Sequence, residues 1–456
     1  MTKKLWQGAF EGADKNITRF NSSENICLDS KLVYYDILGS IAHVKMLTNQ
    51  GILKEEDAND IIKGLKQVLK EYEQGRFKLD ESLEDVHTNV EVAVTKVTQQ
   101  GKKMHTARSR NDQILLDMRM YMRNEVLVAG KEISKLQKSF AELAKKEGFM
   151  VGYTHTRVAQ PITVSFWCDA HIRSFYRDLD KLLECYKRIN SNPLGACALA
   201  GTSWNIDRGQ TAQLLGFGSV QKNELDTVSS RGEVEAELLS HLSIIMAKLS
   251  GLAEELIWLS QKQLIELPEE FCTGSSIMPN KKNPDVLELI RGRTGRVYSN
   301  LLHVLTVKKG LISGYHSDMQ ETKYAVMSGI DTTRECITIM TKVVKQLKFN
   351  EEKIKEELEV GLAQATEIAD ALVKKGMSFR EAHGMVGKLV NDCAKQNIVL
   401  SNSKPLHQFS ESEWKKIISL DRKRLKVRIT IDKKYEETLK QQNKTIEKAY
   451  EQLTEG

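Results

Sequence analysis

Proline is scarce: only 6 occur in 456 residues, and all but Pro405 lie between Pro161 and Pro284. Long proline-free tracts therefore flank that region, and nothing in them forbids long helices. Aromatic residues make up only 6% of the chain. Lys, Glu, Leu, Ala, Gln and Met are plentiful instead, which disfavours a sheet protein and favours an all-α one. The seven cysteines (Cys27, Cys168, Cys185, Cys197, Cys272, Cys336 and Cys393) are odd in number and scattered. None forms a CxxC pair or a zinc-finger spacing, so a disulfide framework and a structural metal are not expected. No apolar run reaches the roughly 18 residues that span a bilayer, and MTKKLWQGAF lacks an apolar leader. The expectation is a cytoplasmic protein with no membrane partner. Blocks of like charge are also missing. The net charge of +6 is a small excess of 67 basic over 61 acidic residues. No basic stripe marks a nucleic-acid partner, whereas a modest positive excess suits a small polyanionic substrate.

The strongest pattern present lies between Glu233 and Leu264. Leu238, Leu242, Ile245, Leu249, Leu252, Leu256 and Leu259 follow one another at alternating spacings of 4 and 3. A sustained heptad predicts a helix packed lengthwise against others. Roughly 30 residues make a rod of about 45 Å, too long for a small domain without partners of similar length. Four further stretches supply them: Asp112 to about Lys146, Ile162 to Ile189, Asp285 to Leu311, and Lys323 to Leu347. Shorter helices are expected over Ser30–Gln50 and Glu55–Glu73, and again after Asn350. The coarse plan is three helical domains, 1–111, 112–349 and 350–456, with a long-helix bundle in the middle.

Four polar segments interrupt the helices: Glu84 to Glu91 (EDVHTNVE), His105 to Gln113 (HTARSRNDQ), Gly152 to Pro161 (GYTHTRVAQP), and Gly274 to Pro284 (GSSIMPNKKNP). Each taken alone suits a helix-capping loop, with Asn111 or Asp112 as a cap and Pro161 near a helix start. Capping does not explain Arg108, Arg110, Asn111 and Gln113 crowded together. Planar Arg forks match carboxylates. Gly274-Ser275-Ser276 lets backbone N–H groups approach an anion, and Lys281 and Lys282 add point charges. Together these describe a site for a substrate with several carboxylates. Cys272, near the last segment, reads as an isolated buried thiol.

GSSIMPNKKNP resembles the signature loop of the fumarase/aspartase superfamily, written GSSxMPxKxNP. Within it, HTARSRNDQ is similar to the HxGRSRNDQ of argininosuccinate lyases, and EDVHTNVE to their EDxHxxxE. NPLGACALAG, KKNPDVLELIRGRTGRV and KGMSFREAH look like the same branch. The likeness runs from Lys4-Leu5-Trp6 to about residue 400. It implies an all-α homotetramer of three-domain subunits whose central helices form a twenty-helix core, with active sites shared between subunits and no cofactor. The implied reaction is reversible anti β-elimination of argininosuccinate to arginine and fumarate, in which stabilising a doubly charged carbanion is the hard step.

By motif position, the resemblance makes Ser275 the base and His155 the other proton-transfer residue. Ser109, Arg110, Asn111, Thr154, Lys281 and Asn283 match substrate-binding positions. Tyr315, Gln320 and Lys323, in GYHSDMQETK, match those for the arginine end, and Ser23 matches an N-terminal contact. His87 and Glu91, four apart on one expected helix face, are supporting residues positioning His155 or substrate; without the resemblance they read as a surface pair. The chain departs from the family pattern at Ala107 (usually Gly), Thr156-Arg157 (usually Leu-Gln), Asn280 (usually Gln), Trp204-Asn205 and a tail without Gly-Gly-Thr. Two other readings stand beside this one: another lyase of the superfamily, against which SRNDQ argues, and an inactive structural protein, against which Ser275 and His155 argue.

Overall fold

In the computed structural model, residues 25–419 and 433–455 are described, together with Ile17 and Phe20. Ser23 and the Lys4-Leu5-Trp6 segment lie outside them. The first third contains α1 (Val33–Asn49), α2 (Glu55–Glu73) and α3 (Val86–Val97), as the spacing of apolar residues predicts for the first two.

The bundle is built from α4 (Arg110–Leu143), α5 (Val164–Ile189), α8 (Glu233–Gln261), α9 (Asp285–Lys308) and α10 (Thr322–Gln346), with α6 (Arg208–Leu214) and α7 (Glu224–Ser229) between the second and third. Neighbouring rods pack α4 on α5, α8 on α9, and α10 on α4, α8 and α9. All seven heptad residues of α8 are at most 2% exposed, so the stripe is the seam of the bundle. At 1.5 Å per residue α4 is about 51 Å long and α9 about 36 Å.

The predominantly helical class holds, with four short two-stranded sheets among the described residues that the heptad logic did not contain, three of them only two residues per strand. β1 (Phe149–Thr154) and β2 (Arg157–Thr163) form an antiparallel hairpin joining α4 to α5. Pro161 therefore pairs with Val151 in a strand instead of opening a helix; Thr163 caps α5 by accepting from Phe166 N–H at 3.1 Å. The hairpin packs against α11 (Glu351–Val360), and Tyr153 donates to Glu357 at 3.2 Å.

A second, smaller core joins α12 (Ala365–Lys374), α13 (Phe379–Gln396) and α14 (Glu411–Ile418) around Ile368, Leu372 and Trp414. The last helix, α15 (Lys434–Thr454), leaves it and returns to the main core, packing on α1, α4 and α6 through Leu439, Ile446 and Leu453. It is held by Arg123, which is fully buried on α4. That guanidinium donates to Asn190, to the carbonyls of Leu215 and Gly216, and to the Tyr450 hydroxyl, and stacks 4.0 Å from the Phe217 ring centre.

Candidate active site

The start of α4 shows how the site is fixed locally. Its cap is Ser109, not Asn111 or Asp112: the Ser109 hydroxyl accepts from Asn111 N–H at 3.2 Å, and Asp112 reaches back to Ser109 N–H at 3.0 Å. Such a reciprocal box satisfies donors that would otherwise be orphaned. The other Asp112 oxygen accepts from Gly195 and Cys197 N–H, both at 2.9 Å, clamping the NPLGAC loop beside the helix start. Ala107 stands in the left-handed region at φ 58, which accounts for glycine being usual there and makes alanine strained.

Capping leaves Arg110 and Asn111 facing a cavity of about 340 Å³. Of the expected residues, His87, Arg110, Asn111, Tyr315, Gln320 and Lys323 line it together, brought from α3, α4, the segment between α9 and α10, and the first turn of α10. Asp85, from the EDVHTNVE segment, lines it too, as do Asn25, Asp29 and Arg231, which were not singled out beforehand. No spacing rule marks them; they meet the site only through the fold.

The cavity wall is a chain of charge-assisted bonds. Lys323 Nζ donates to Asp29 at 2.5 Å, and the other Asp29 oxygen accepts from Val86 N–H at 3.1 Å, so the carboxylate caps α3 and holds the lysine at once. Arg110 pairs with Asp85 at 2.8 Å, while Asp85 accepts from Thr88 N–H at 2.8 Å. Gln320 donates to the Tyr315 hydroxyl at 3.2 Å and accepts from Asn25 at 2.8 Å.

His87 is 4% exposed, so it is no surface residue. Its Nδ1 lies 2.5 Å from Asp36 and 3.6 Å from Asp117, two carboxyls inside the protein. Burial pushes the Asp36 carboxyl up, but the charges of His87 and Arg108 and a bond from Gln113 outweigh it and hold it below its usual range. Asp117 goes the other way, driven well up by burial and by Asp36. The pair therefore fixes the imidazole in orientation at the cavity wall. Glu91, one turn further along α3, is half-buried and pushed up to about 7, chiefly by burial.

The remaining expected residues lie elsewhere in the chain. His155 and Thr156 form the two-residue turn of the β1–β2 hairpin, both with positive φ (52 and 59) and both exposed, with Thr154 beside them. Neither residue is glycine, and such backbone strain concentrates at functional positions. Within one chain, α4 separates this turn from Asn111 by about 50 Å.

Ser275, Lys281 and Asn283 belong to an exposed loop whose base is pinned by pairing Thr273 with Asn283 and Gly274 with Lys282. The Ser275 hydroxyl oxygen accepts from Met278 N–H at 3.0 Å and Ile277 N–H at 3.3 Å. Directly after the loop, α9 begins at Asp285; its cap residue Pro284 makes no side-chain bond, and Asp285 and Glu288 stand in the first turn at its positive end. α9 then runs about 36 Å before the chain reaches Tyr315. One chain thus carries the cavity at one end of its bundle and the serine loop and histidine turn at the other. Cys272, expected to be buried, is half-exposed beside the loop, and burial raises its thiol.

With this geometry in view, the comparisons with known proteins are decisive. The family described as Lyase matches residues 8–299, and that described as Argininosuccinate lyase C-terminal matches residues 362–443. Argininosuccinate lyase of Acetivibrio thermocellus is 44% identical over 423 residues, covering 91% of this chain and 90% of that protein. That of Geobacter metallireducens is 44% identical over 418 residues, covering 90% and 89%. The chain belongs to the argininosuccinate lyase family. Among solved structures, EDDS lyase in complex with formate is similar with TM-score 0.78 and 26% identity, covering 97% of this chain and 95% of that one. A class II fumarase from Schistosoma mansoni, at TM-score 0.73 and 16% identity over 92% and 96%, shares the fold. The all-α three-domain lyase architecture of this superfamily is therefore the architecture of the chain, and the SRNDQ segment that distinguishes argininosuccinate lyases sits at its cavity. No described helix is long and apolar enough to cross a membrane.

Proposed function

We propose that the protein cleaves argininosuccinate reversibly into arginine and fumarate in arginine biosynthesis, as a cytoplasmic homotetramer of three-domain subunits (1–111, 112–349 and 350–456) that uses no cofactor. The observation that carries this is the convergence of Arg110, Asn111, Tyr315, Gln320 and Lys323 on one cavity in a chain of this family. In this reading Ser275 takes the proton beside the carboxylate. Two backbone N–H groups already bond its oxygen, and the uncapped start of α9 and Lys281 add positive potential. His155 protonates the departing guanidino nitrogen. Thr154, Ser109 and Asn283 bind substrate, and Ser23 contributes an N-terminal contact.

The separation of serine loop and cavity supports assembly from several subunits, since neither end of the bundle is complete alone. α9 supports the same reading: Leu289, Tyr298, Leu302 and Leu305 are between 46% and 65% exposed, an apolar face of the kind a bundle partner covers. His87 and Glu91 then support the arginine end, with Asp36 and Asp117 orienting His87.

The test is a substrate panel on purified protein, followed by fumarate absorbance. Turnover is expected with argininosuccinate and not with adenylosuccinate, malate or aspartate. Turnover with adenylosuccinate alone would overturn the choice within the superfamily; none with any would favour the inactive structural reading.

A further inference from the structure

We propose that Arg231 receives the α-carboxylate of the arginine half of the substrate and so makes the site require an amino acid at that end. The proposal rests on the argininosuccinate lyase reading and deepens it.

Three cationic side chains line the cavity among the described residues: Arg110, Arg231 and Lys323. Two are already engaged, Lys323 by Asp29 at 2.5 Å and Arg110 by Asp85 at 2.8 Å. Arg231 is not. It is 3% exposed, and its Nη2 has no hydrogen-bond partner. Its guanidinium carbon lies 5.8 Å from the ring centre of Tyr315, which together with Gln320 forms the neighbouring wall. A buried guanidinium without a paired anion is costly, and burial here works against its charge more than Tyr315, Glu235 and Asp29 support it. A carboxylate from outside the chain relieves that cost, and the planar fork matches it with paired bonds.

The backbone holds Arg231 in place for this task. Gly232 follows in the left-handed region at φ 87, which only glycine adopts without strain, and its N–H donates to Glu235 at 2.9 Å. The Arg231 carbonyl accepts from Lys308 at 3.4 Å, and Ser229 accepts from the same lysine at 2.7 Å. The arginine is thus anchored on both sides before substrate arrives.

Argininosuccinate has three carboxylates. Two belong to the succinyl half, which must reach Ser275. The third is the α-carboxylate at the opposite end, and the cavity with Tyr315, Gln320 and Lys323 takes that end. Its chemistry, one anion beside hydroxyl and amide groups, fits the wall around Arg231.

The experiment compares arginine with agmatine, which is arginine without its carboxylate, as inhibitors of argininosuccinate cleavage. In the native protein arginine is expected to inhibit roughly 100-fold more tightly than agmatine. In Arg231→Gln that ratio is expected to fall below about tenfold, with Arg231→Lys intermediate, while inhibition by fumarate changes less than about threefold. A merely structural role would weaken fumarate and arginine alike and leave the arginine-to-agmatine ratio unchanged; that result overturns the assignment. If Arg231→Gln does not assemble, the ratio in Arg231→Lys decides, and an unaltered ratio there also overturns it. Absence of any cleavage by the native protein overturns the functional reading itself, whereas cleavage with an unaltered ratio overturns only Arg231.

Discussion

Replacing Ser275 by alanine is expected to lower kcat about 10³-fold while KM and subunit assembly stay nearly unchanged. The substitution removes one oxygen from an exposed loop whose base is fixed by the Thr273–Asn283 and Gly274–Lys282 pairing, so it has no core to disturb. What it removes chemically is the proposed base, whose oxygen accepts from two backbone N–H groups. A serine hydroxyl is a poor base in water, and its usefulness depends on stabilising the alkoxide. In the proposed mechanism that stabilisation comes from the backbone N–H groups at its oxygen, with Lys281 and the start of α9 adding positive potential. Steady-state kinetics and size-exclusion chromatography on the variant check the expectation. Activity within tenfold of the native protein would remove Ser275 from the chemistry.

The sequence states the bundle clearly because a heptad is a one-dimensional record of a packing seam. Each of Leu238 to Leu259 on that stripe is buried, and the helix ends fall within three residues of the spacing's prediction. The hairpin was not legible. Phe149 to Thr163 carries no clean alternation, Pro161 resembles a helix-start signal, and its turn uses His155 and Thr156 where glycine or asparagine is usual.

The candidate site divides in the same way. Motifs reveal residues with unusual chemistry, so Arg110, Asn111, Tyr315, Gln320 and Lys323 were visible and converge. His87 was visible but misjudged without the resemblance, because helical spacing does not show that Asp36 and Asp117 lie against it. Asp29 and Arg231 carried no signal at all. An aspartate in ICLDS and an arginine in SSRG look like ordinary surface residues until the fold buries them beside the cavity.

The largest expected effect on stability belongs to Arg123→Met. The guanidinium is fully buried and donates to four acceptors, two of them backbone carbonyls, with the bonds to Leu215 and Tyr450 buried. Methionine fills much of the volume but restores none of those bonds. Leaving buried acceptors unpaired, with loss of the stacking on Phe217, is expected to cost about 3–5 kcal/mol. Because Tyr450 is one of the acceptors, α15 should loosen first, exposing Tyr450 and Leu453 to protease. A thermal melt should show a fall in Tm of about 3–5 °C. A shift under 2 °C with unchanged proteolysis would show that the α15 anchor lies elsewhere.

The central claim is that the catalytic loop of one subunit serves the cavity of another. Mixing two inactive variants tests it most directly: Ser275→Ala, whose cavity is intact, and Lys323→Met, whose loop is intact, with Asn111→Leu in place of the second if it fails to assemble. Dissociated together and reassembled at equal amounts, random tetramers should recover about a quarter of native activity, because that fraction of shared sites draws both halves from undamaged ends. If each site instead lay within one chain, every chain would carry a defect, and the mixture would stay as inactive as its parents.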